Sequence, residues 1–217
     1  ARIIDEIVRR IVREKDSPFE PFLRRAAEDA YHHLLHPVIE DEVYNILQGR
    51  ADEEAIRVFR ANLENALLAP PAGLIPVAGV DVHESRRLTI AAVDAHGAFL
   101  ESIVLRSHRL EGEGDGSAAE DLAAFLQRHS IKAVAVSSGT LGKEAALFIR
   151  ELLAKNQLED VFCAFVNEGG LTPYAVSPLA QQELPNLSVP IRRAVSVARR
   201  LQDPLMELVK VDPRTIG

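Results

Sequence analysis

Residues Pro76–Ser102 read PVAGVDVHESRRLTIAAVDAHGAFLES. An apolar run leads into Gly79-Val80-Asp81, a polar break follows, and two more β-branched and aliphatic runs come after it. Short runs of this kind bounded by turn residues are strands, and Asp94-Ala95-His96-Gly97 predicts a hairpin turn between the second and the third. LIPVAGVDV, RLTIAAVDAHG and AFLESIVLR are therefore expected to form three consecutive antiparallel strands.

Downstream the rhythm changes to helix AAEDLAAFLQRH, strand KAVAVSS, helix KEAALFIRELLAKN and strand VFCAFVN. Strands alternating with helices imply a parallel sheet with crossover connections. A three-stranded antiparallel meander followed by αβαβ is the order of the ribonuclease H-like fold, a mixed α/β sheet. EGEGDGSAAED, Glu111 to Asp121, reads as an acidic, turn-rich loop leading into a helix capped at or near Ser117.

Upstream of the meander the chain reads as helices. In DEEAIRVFRANLENALL, Ile56, Phe59, Leu63 and Leu67 line one helix face; Asp52 caps its start and Pro70-Pro71 ends it. HPVIEDEVYNILQGR predicts a separate helix, with Pro37 in its first turn and a stop at Gly49. Pro18 and Pro21 mark earlier breaks. The expected division is a helical segment over 1–72, the sheet domain over 73–187, and a connecting helix with further helical structure over 188–217.

Composition narrows the function classes. The 217 residues are 47% hydrophobic and carry a formal net charge of -7, so nucleic-acid contact needs a local basic patch against the field of the whole chain. No apolar run approaches the roughly 20 residues of a membrane-spanning helix, and the first residues lack a signal-peptide pattern, so a cytoplasmic location is expected. The lone Cys163 lies inside VFCAFV and reads as a small core residue. The missing initial Met and the stop just after Asp212-Pro213 suggest a fragment of something longer.

The end of the first strand gives Asp81 its interest. In this fold it lies beside the ends of the later parallel strands, so Asp81 and Glu168, which follows VFCAFVN, are expected to approach one another at the carboxyl edge of the sheet. Two-metal phosphodiester hydrolysis needs several carboxylates there to hold two divalent ions roughly 4 Å apart. Here the fourth strand ends in Ser137-Ser138-Gly139-Thr140, without an acid, and Glu144 already lies in a helix. The bland alternative makes Asp81 a loop or cap residue and Glu168 a turn acid.

Other motifs carry weaker signals. Gly139-Thr140-Leu141-Gly142-Lys143-Glu144 has the look of a Walker A ending, but its glycine spacing is short by two residues and Glu replaces the magnesium-binding Ser/Thr. The helix start there, with Lys143, is a candidate phosphate-binding point. His32, His33 and His36 near Glu40 have helical ligand spacing, yet read as exposed or helix-end histidines beside Pro37. Arg192-Arg193 and Arg199-Arg200 share a helix face at a seven-residue interval, suited either to phosphate or to acids of the helical segment.

Two stretches carry a family resemblance. VNEGGLTPYAVSPLAQQELPNLSVPIRRAVSVARRLQDPLMELVKVDPRTIG resembles the signature region of the bacterial Tex family of transcription accessory proteins, its most specific part being Ala194 to Gly217. YHHLLHPVIEDEVYNILQGRADEEAIRVF resembles the helical part before that family's central domain. The resemblance covers nearly the whole chain. It implies a central YqgF-type, RuvC-like domain of ribonuclease H fold, kinship with eukaryotic Spt elongation factors, and a longer protein with helix-turn-helix, helix-hairpin-helix and C-terminal RNA-binding modules. Residues 188–217 would then be a connecting helix and the start of the helix-hairpin-helix region.

Departures from the family pattern are informative. Gly79-Val80-Asp81-Val82-His83 keeps the acid of Gly-hydrophobic-Asp-Pro-Gly but loses the Pro-Gly turn. Ser137-Ser138-Gly139-Thr140 stands for Gly-Asn-Gly-Thr, and Asn167-Glu168-Gly169-Gly170 for Asn-Glu-Ala-Gly. Asp81 and Glu168 match, and Asp203 is a distant third acid.

Three functions follow as expectations. The first is a non-catalytic scaffold module of a nucleic-acid-binding transcription protein working near RNA polymerase, with no cofactor. The second is a magnesium-dependent RuvC/YqgF-type nuclease with Asp81, Glu168 and Asp203 as ligands. The third is a protein-interaction module without nucleic-acid contact.

Overall fold

The computed structural model describes residues 2–12, 18–82, 87–106, 116–139, 141–158 and 160–216. Its contacts divide into two compact units, Ala1–Val58 and Phe59–Gly217.

In the first unit α1 (Arg2–Ile11) and α2 (Glu20–Ala30) pack through Ile4, Val8 and Ala27, with Ile7, Val12 and Tyr31 against them. Arg24 donates to Asp5 at 2.7 Å across the pair. A π-helical turn, Tyr31–Leu35, then runs straight into α3 (His36–Leu67). The wide turn has a local cause: Pro37 has no N–H and its ring crowds the carbonyl four residues back, so the ladder opens just before it. His33 pairs with Asp29 and His36 with Glu40, all on exposed surface.

The two helices expected on either side of Gly49 are one. A mid-helix glycine costs only about 1 kcal/mol, and the flanking Ala51, Glu53, Glu54 and Ala55 are strong helix formers, so Gly49 does not stop the helix and Asp52 is interior rather than a cap.

The second unit contains a five-stranded sheet in the order β3-β2-β1-β4-β5. β1 (Val77–Val82) pairs antiparallel with β2 (Arg87–Val93), and β2 with β3 (Phe99–Arg106). β4 (Ala133–Ser137) and β5 (Phe162–Val166) continue parallel to β1. This is the ribonuclease H-like order expected from the meander and the alternation behind it. The β2–β3 turn is pinned by Asp94, whose side chain accepts from the His96 and Ala98 amides at 2.8 Å, and Gly97 supplies the positive φ of 81°.

Because side chains alternate across a strand, β1 serves two cores. Ala78 and Val80 face α4 (Gly116–Arg128) and α5 (Gly142–Lys155), packing with Phe125, Leu126 and Ile149. Val77 faces the other way, onto α8 (Val189–Gln202), with Ala194, Val195, Val197 and Ala198 fully buried. In the chain α6 (Leu171–Val176) and α7 (Pro178–Glu183) precede α8, and α9 (Pro204–Leu208) and a 3-10 turn, Pro213–Thr215, follow it. The division expected between 187 and 188 falls just before α8, and α8 lies on the sheet as one of its covering layers.

Residues 107–115, which hold the first five residues of the expected acidic loop, lie outside the described residues, as do His83, Thr140 and the side chain of Ser117; the rest of that stretch, from Gly116, is already helix α4. Cys163 is partly buried against the core, and burial pushes its thiol up.

Gly79 is where α8 meets β1. A Cβ there would collide with the Ala194 carbonyl and the Ala198 amide, both backbone groups that cannot swing aside. Gly79→Ala should therefore destabilise the protein by about 2 kcal/mol or more. A urea unfolding curve with an unchanged midpoint would contradict this packing.

Candidate functional site

Continuing the alternation from Val77 and Gly79, Asp81 also projects toward α8, one pair of residues further along the strand. Its register partner Thr89 and the end residue of β4, Ser137, stand in the same row. All three are buried, and Asp81 has no exposed surface. The carboxyl edge of the sheet thus presents one acid flanked by two hydroxyls.

A buried carboxylate needs a counter-charge, and α8 provides it. Arg193 donates from Nε to Asp81 Oδ2 and from Nη2 to Oδ1, both at 2.9 Å. This is the two-pronged guanidinium–carboxylate geometry, directional as well as strong. The remaining Nη1 donates to the Thr172 hydroxyl on α6. Arg193 is one residue before Ala194, so the close contact at Gly79 is what sets its fork opposite Asp81.

Outside Arg193 lies a cleft of about 730 Å³, whose lining includes Arg87, Thr89, Ser137, Gly139, Glu168 and Arg193. Glu168 is exposed, and its carboxylate sits over Gly139, where a Cβ would strike Oε2. Arg200 fixes the loop that carries it: this arginine is 2% exposed, and its Nη1 donates to the Asn167 carbonyl at 2.6 Å and the Gly169 carbonyl at 2.7 Å. Burial pulls its guanidinium down to about 10. Lys143 is exposed at the start of α5, beyond the non-helical Gly139 segment.

The other predicted residues go elsewhere. Asp203 caps α9, accepting from the Met206 amide at 3.0 Å. It lines a second depression with Ala95, His96 and Gly97 of the β2–β3 turn. That turn lies at the start of β1, since Val77 pairs with Val93, so Asp203 is at the opposite end of the strand from Asp81. Arg192 donates to the Leu184 and Ala175 carbonyls, and Arg199 to the Gly97 carbonyl and Glu183. All four arginines of α8 thus have protein acceptors.

Glu183 collects three donors, Tyr174, Arg199 and Lys210. Burial acts to raise its pKa, but these partners outweigh it and hold the carboxyl below its ordinary value. The tyrosine hydroxyl is pushed far up, first by burial and then by Glu207 and Glu183.

The donor set does not fit a magnesium pair. Among the described residues no group of three or more His, Cys, Asp or Glu is placed to hold a metal ion. Asp81 already gives both oxygens to Arg193, and Ser137 stands where β4 would need an acid. What sequence reasoning missed is this pairing: Arg193 read as a contact either for phosphate or for acids of the helical segment, and Thr172 and Gly79 were not singled out. A glycine and two alanines at i and i+4 are the one visible sign of a close helix–strand contact.

Fold and site together define a ribonuclease H-like domain whose carboxyl edge is closed by an arginine. The family signature described as the Tex protein YqgF-like domain matches residues 76–202, and the chain belongs to the Tex family. The transcriptional accessory protein Tex of Neisseria gonorrhoeae is 35% identical over 94% of this chain and 26% of that protein. Protein tex of Bordetella pertussis is 37% identical over 84% of this chain and 23% of its own. The human S1 RNA-binding domain-containing protein 1 is 32% identical over 90% of this chain and 20% of that one. This chain therefore spans about a quarter or less of these relatives. A Thermus thermophilus RuvC structure aligns with 63% of this chain and 96% of its own at a TM-score of 0.41 and 16% identity. The fold assignment rests on the strand order, not on that superposition.

Two outcomes are expected. A double-mutant cycle on Asp81→Asn and Arg193→Met should show a coupling of about 3 kcal/mol in unfolding free energy, because either single change breaks the two-pronged hydrogen bonding of a buried ion pair. Glu183 has a lowered folded-state pKa, so its contribution is present above its unfolded-state pKa and is lost as pH falls through the folded one. The stability gap between wild type and Glu183→Gln should accordingly be full at neutral pH and close in acid; a gap that widens in acid would contradict the network.

Proposed function

We propose that this chain is a non-catalytic ribonuclease H-like module of a longer transcription accessory protein, which holds neighbouring nucleic-acid-binding parts in a fixed relation. The observation that carries this reading is the closed carboxyl edge: Asp81 is fully buried and both of its oxygens accept from Arg193. A nuclease of this fold would need that carboxylate open to divalent metal, with further acids beside it.

Membership of the Tex family supports a role in transcription, since relatives are named as transcription accessory proteins. Relatives named for an S1 RNA-binding domain support nucleic acid as the partner of the full-length protein. We place that contact mainly outside this chain, whose net charge is -7 and whose α8 arginines are turned to protein acceptors. An RNA polymerase partner and a cytoplasmic setting belong to the same proposal. No helix among the described residues is long and apolar enough to cross a membrane. Residues 188–217 continue into helix-hairpin-helix structure on this reading.

The test is calorimetry with magnesium and manganese, followed by incubation with branched and single-stranded DNA and RNA. No saturable metal binding and no cleavage are expected. Metal-dependent cleavage abolished in Asp81→Asn would restore the nuclease reading. Failure of a full-length protein to bind any nucleic acid at low salt would favour a pure protein-interaction role.

A further inference from the structure

The two edges of the sheet are not alike. At one, the pairing of β3 is irregular beside Val93, and the strand carries Glu101, held by Arg128 and His129. Charges and bulges of this kind keep a strand edge from pairing with another chain. At the other, β5 reads Phe-Cys-Ala-Phe-Val in regular register, without charge or proline, and Phe162 and Phe165 are 48% and 47% exposed. Phe162 donates to the Lys132 carbonyl and Val166 accepts from the Ser138 amide, so residues 162, 164 and 166 turn their backbone groups to β4. The N–H and C=O of Cys163 and Phe165 therefore point off the edge, where no described residue pairs with them.

A groove of about 560 Å³ adjoins this edge. Residues 164–167 line it together with Asn62 and Asn65, neighbours on one face of α3. Both asparagines are exposed, with side-chain amides that no described residue engages. Arg200 is the charged residue of the lining. Its Nη1 is taken by the Asn167 and Gly169 carbonyls, whereas Nε and Nη2 are buried without an acceptor. Around it three cations, Arg199, Arg200 and Lys210, stand against two carboxylates, Glu183 and Glu207, which leaves one positive charge unbalanced.

We propose that this groove binds an extended acidic segment of a partner protein, which joins the sheet beside β5 and seats a carboxylate over Arg200. Main-chain pairing with Cys163 and Phe165 supplies affinity, Asn62 and Asn65 offer amides to the segment's other backbone groups, and the unbalanced guanidinium selects an acid over a neutral or basic residue. Residues 164–167 extend over roughly 13 Å, enough to hold about four residues of the segment. The proposal stands whether or not the domain cleaves nucleic acid.

The experiment selects a phage-displayed library of random heptapeptides on the whole chain and measures the enriched peptides, as fluorescein conjugates, by polarisation. Enriched sequences should share an acidic residue, and changing it to its amide should weaken binding about tenfold. Phe165→Pro removes an outward N–H at an edge position, where a strand tolerates proline, and should abolish binding. Asn62→Ala/Asn65→Ala, on exposed helix surface, should weaken binding several-fold and serves if Phe165→Pro does not fold. Bound peptide should slow hydrogen exchange at the Cys163 and Phe165 amides, which in the free protein exchange faster than that of Ala164. The proposal is overturned if no peptide is enriched, if the enriched peptides lack an acid, if they bind the variants as tightly as wild type, or if they protect amides elsewhere and leave β5 unchanged.

Discussion

The carboxyl edge of the sheet depends on α8 lying directly on β1 at Gly79. Two backbones approach so closely there that only a hydrogen fits on the strand, with Ala194 and Ala198 facing it from the helix. Once that contact is made, the geometry of both elements leaves little choice. Two residues along the strand is Asp81, pointing at the helix; one residue back along the helix is Arg193. The buried acid and its base are brought together by a contact that involves neither of them.

The same helix organises the rest of the unit. Arg192 ties it to the ends of α6 and α7, Arg199 to the β2–β3 turn, and Arg200 to the loop after β5. Most of these acceptors are backbone carbonyls of turns, loops and helix ends, where the regular ladder of a helix or strand does not supply a partner. Arginine suits the task because one planar group can satisfy two acceptors and never loses its charge. Four guanidiniums in a helix of 14 residues would ordinarily signal a basic surface; here each is turned to acceptors of the protein itself.

The strand order was legible because it depends on local signals: apolar runs of strand length, a hairpin turn at Asp94–Gly97, and alternation with helices. The neutral end of β4 at Ser137 was equally plain, and with it the shortage of acids. The Arg193–Asp81 pair was not legible, for the partners are 112 residues apart and nothing local in PIRRAVSVARR distinguishes a buried arginine from an exposed one. Spacing alone placed all four arginines on one face, but α8 is buried over most of its circumference, so more than one face meets protein. The break expected at Gly49 failed for a different reason: a single glycine was outweighed by the helix formers around it.

A buried ion pair is a poor way to gain stability, since two apolar residues of similar size often do as well. Its use here is in register. The Gly79–Ala194–Ala198 contact is small and smooth, and a helix bearing small residues four apart can slide by one turn and find a similar fit. Two parallel hydrogen bonds to a fully buried carboxylate cannot survive such a slide, because one turn of helix carries the guanidinium out of reach of both oxygens. Asp81 is therefore retained for the position of α8, and through α8 for the placement of the turn, loop and helix ends that its arginines hold. The Asp81–Arg193 pair is the point from which the helix layer is aligned.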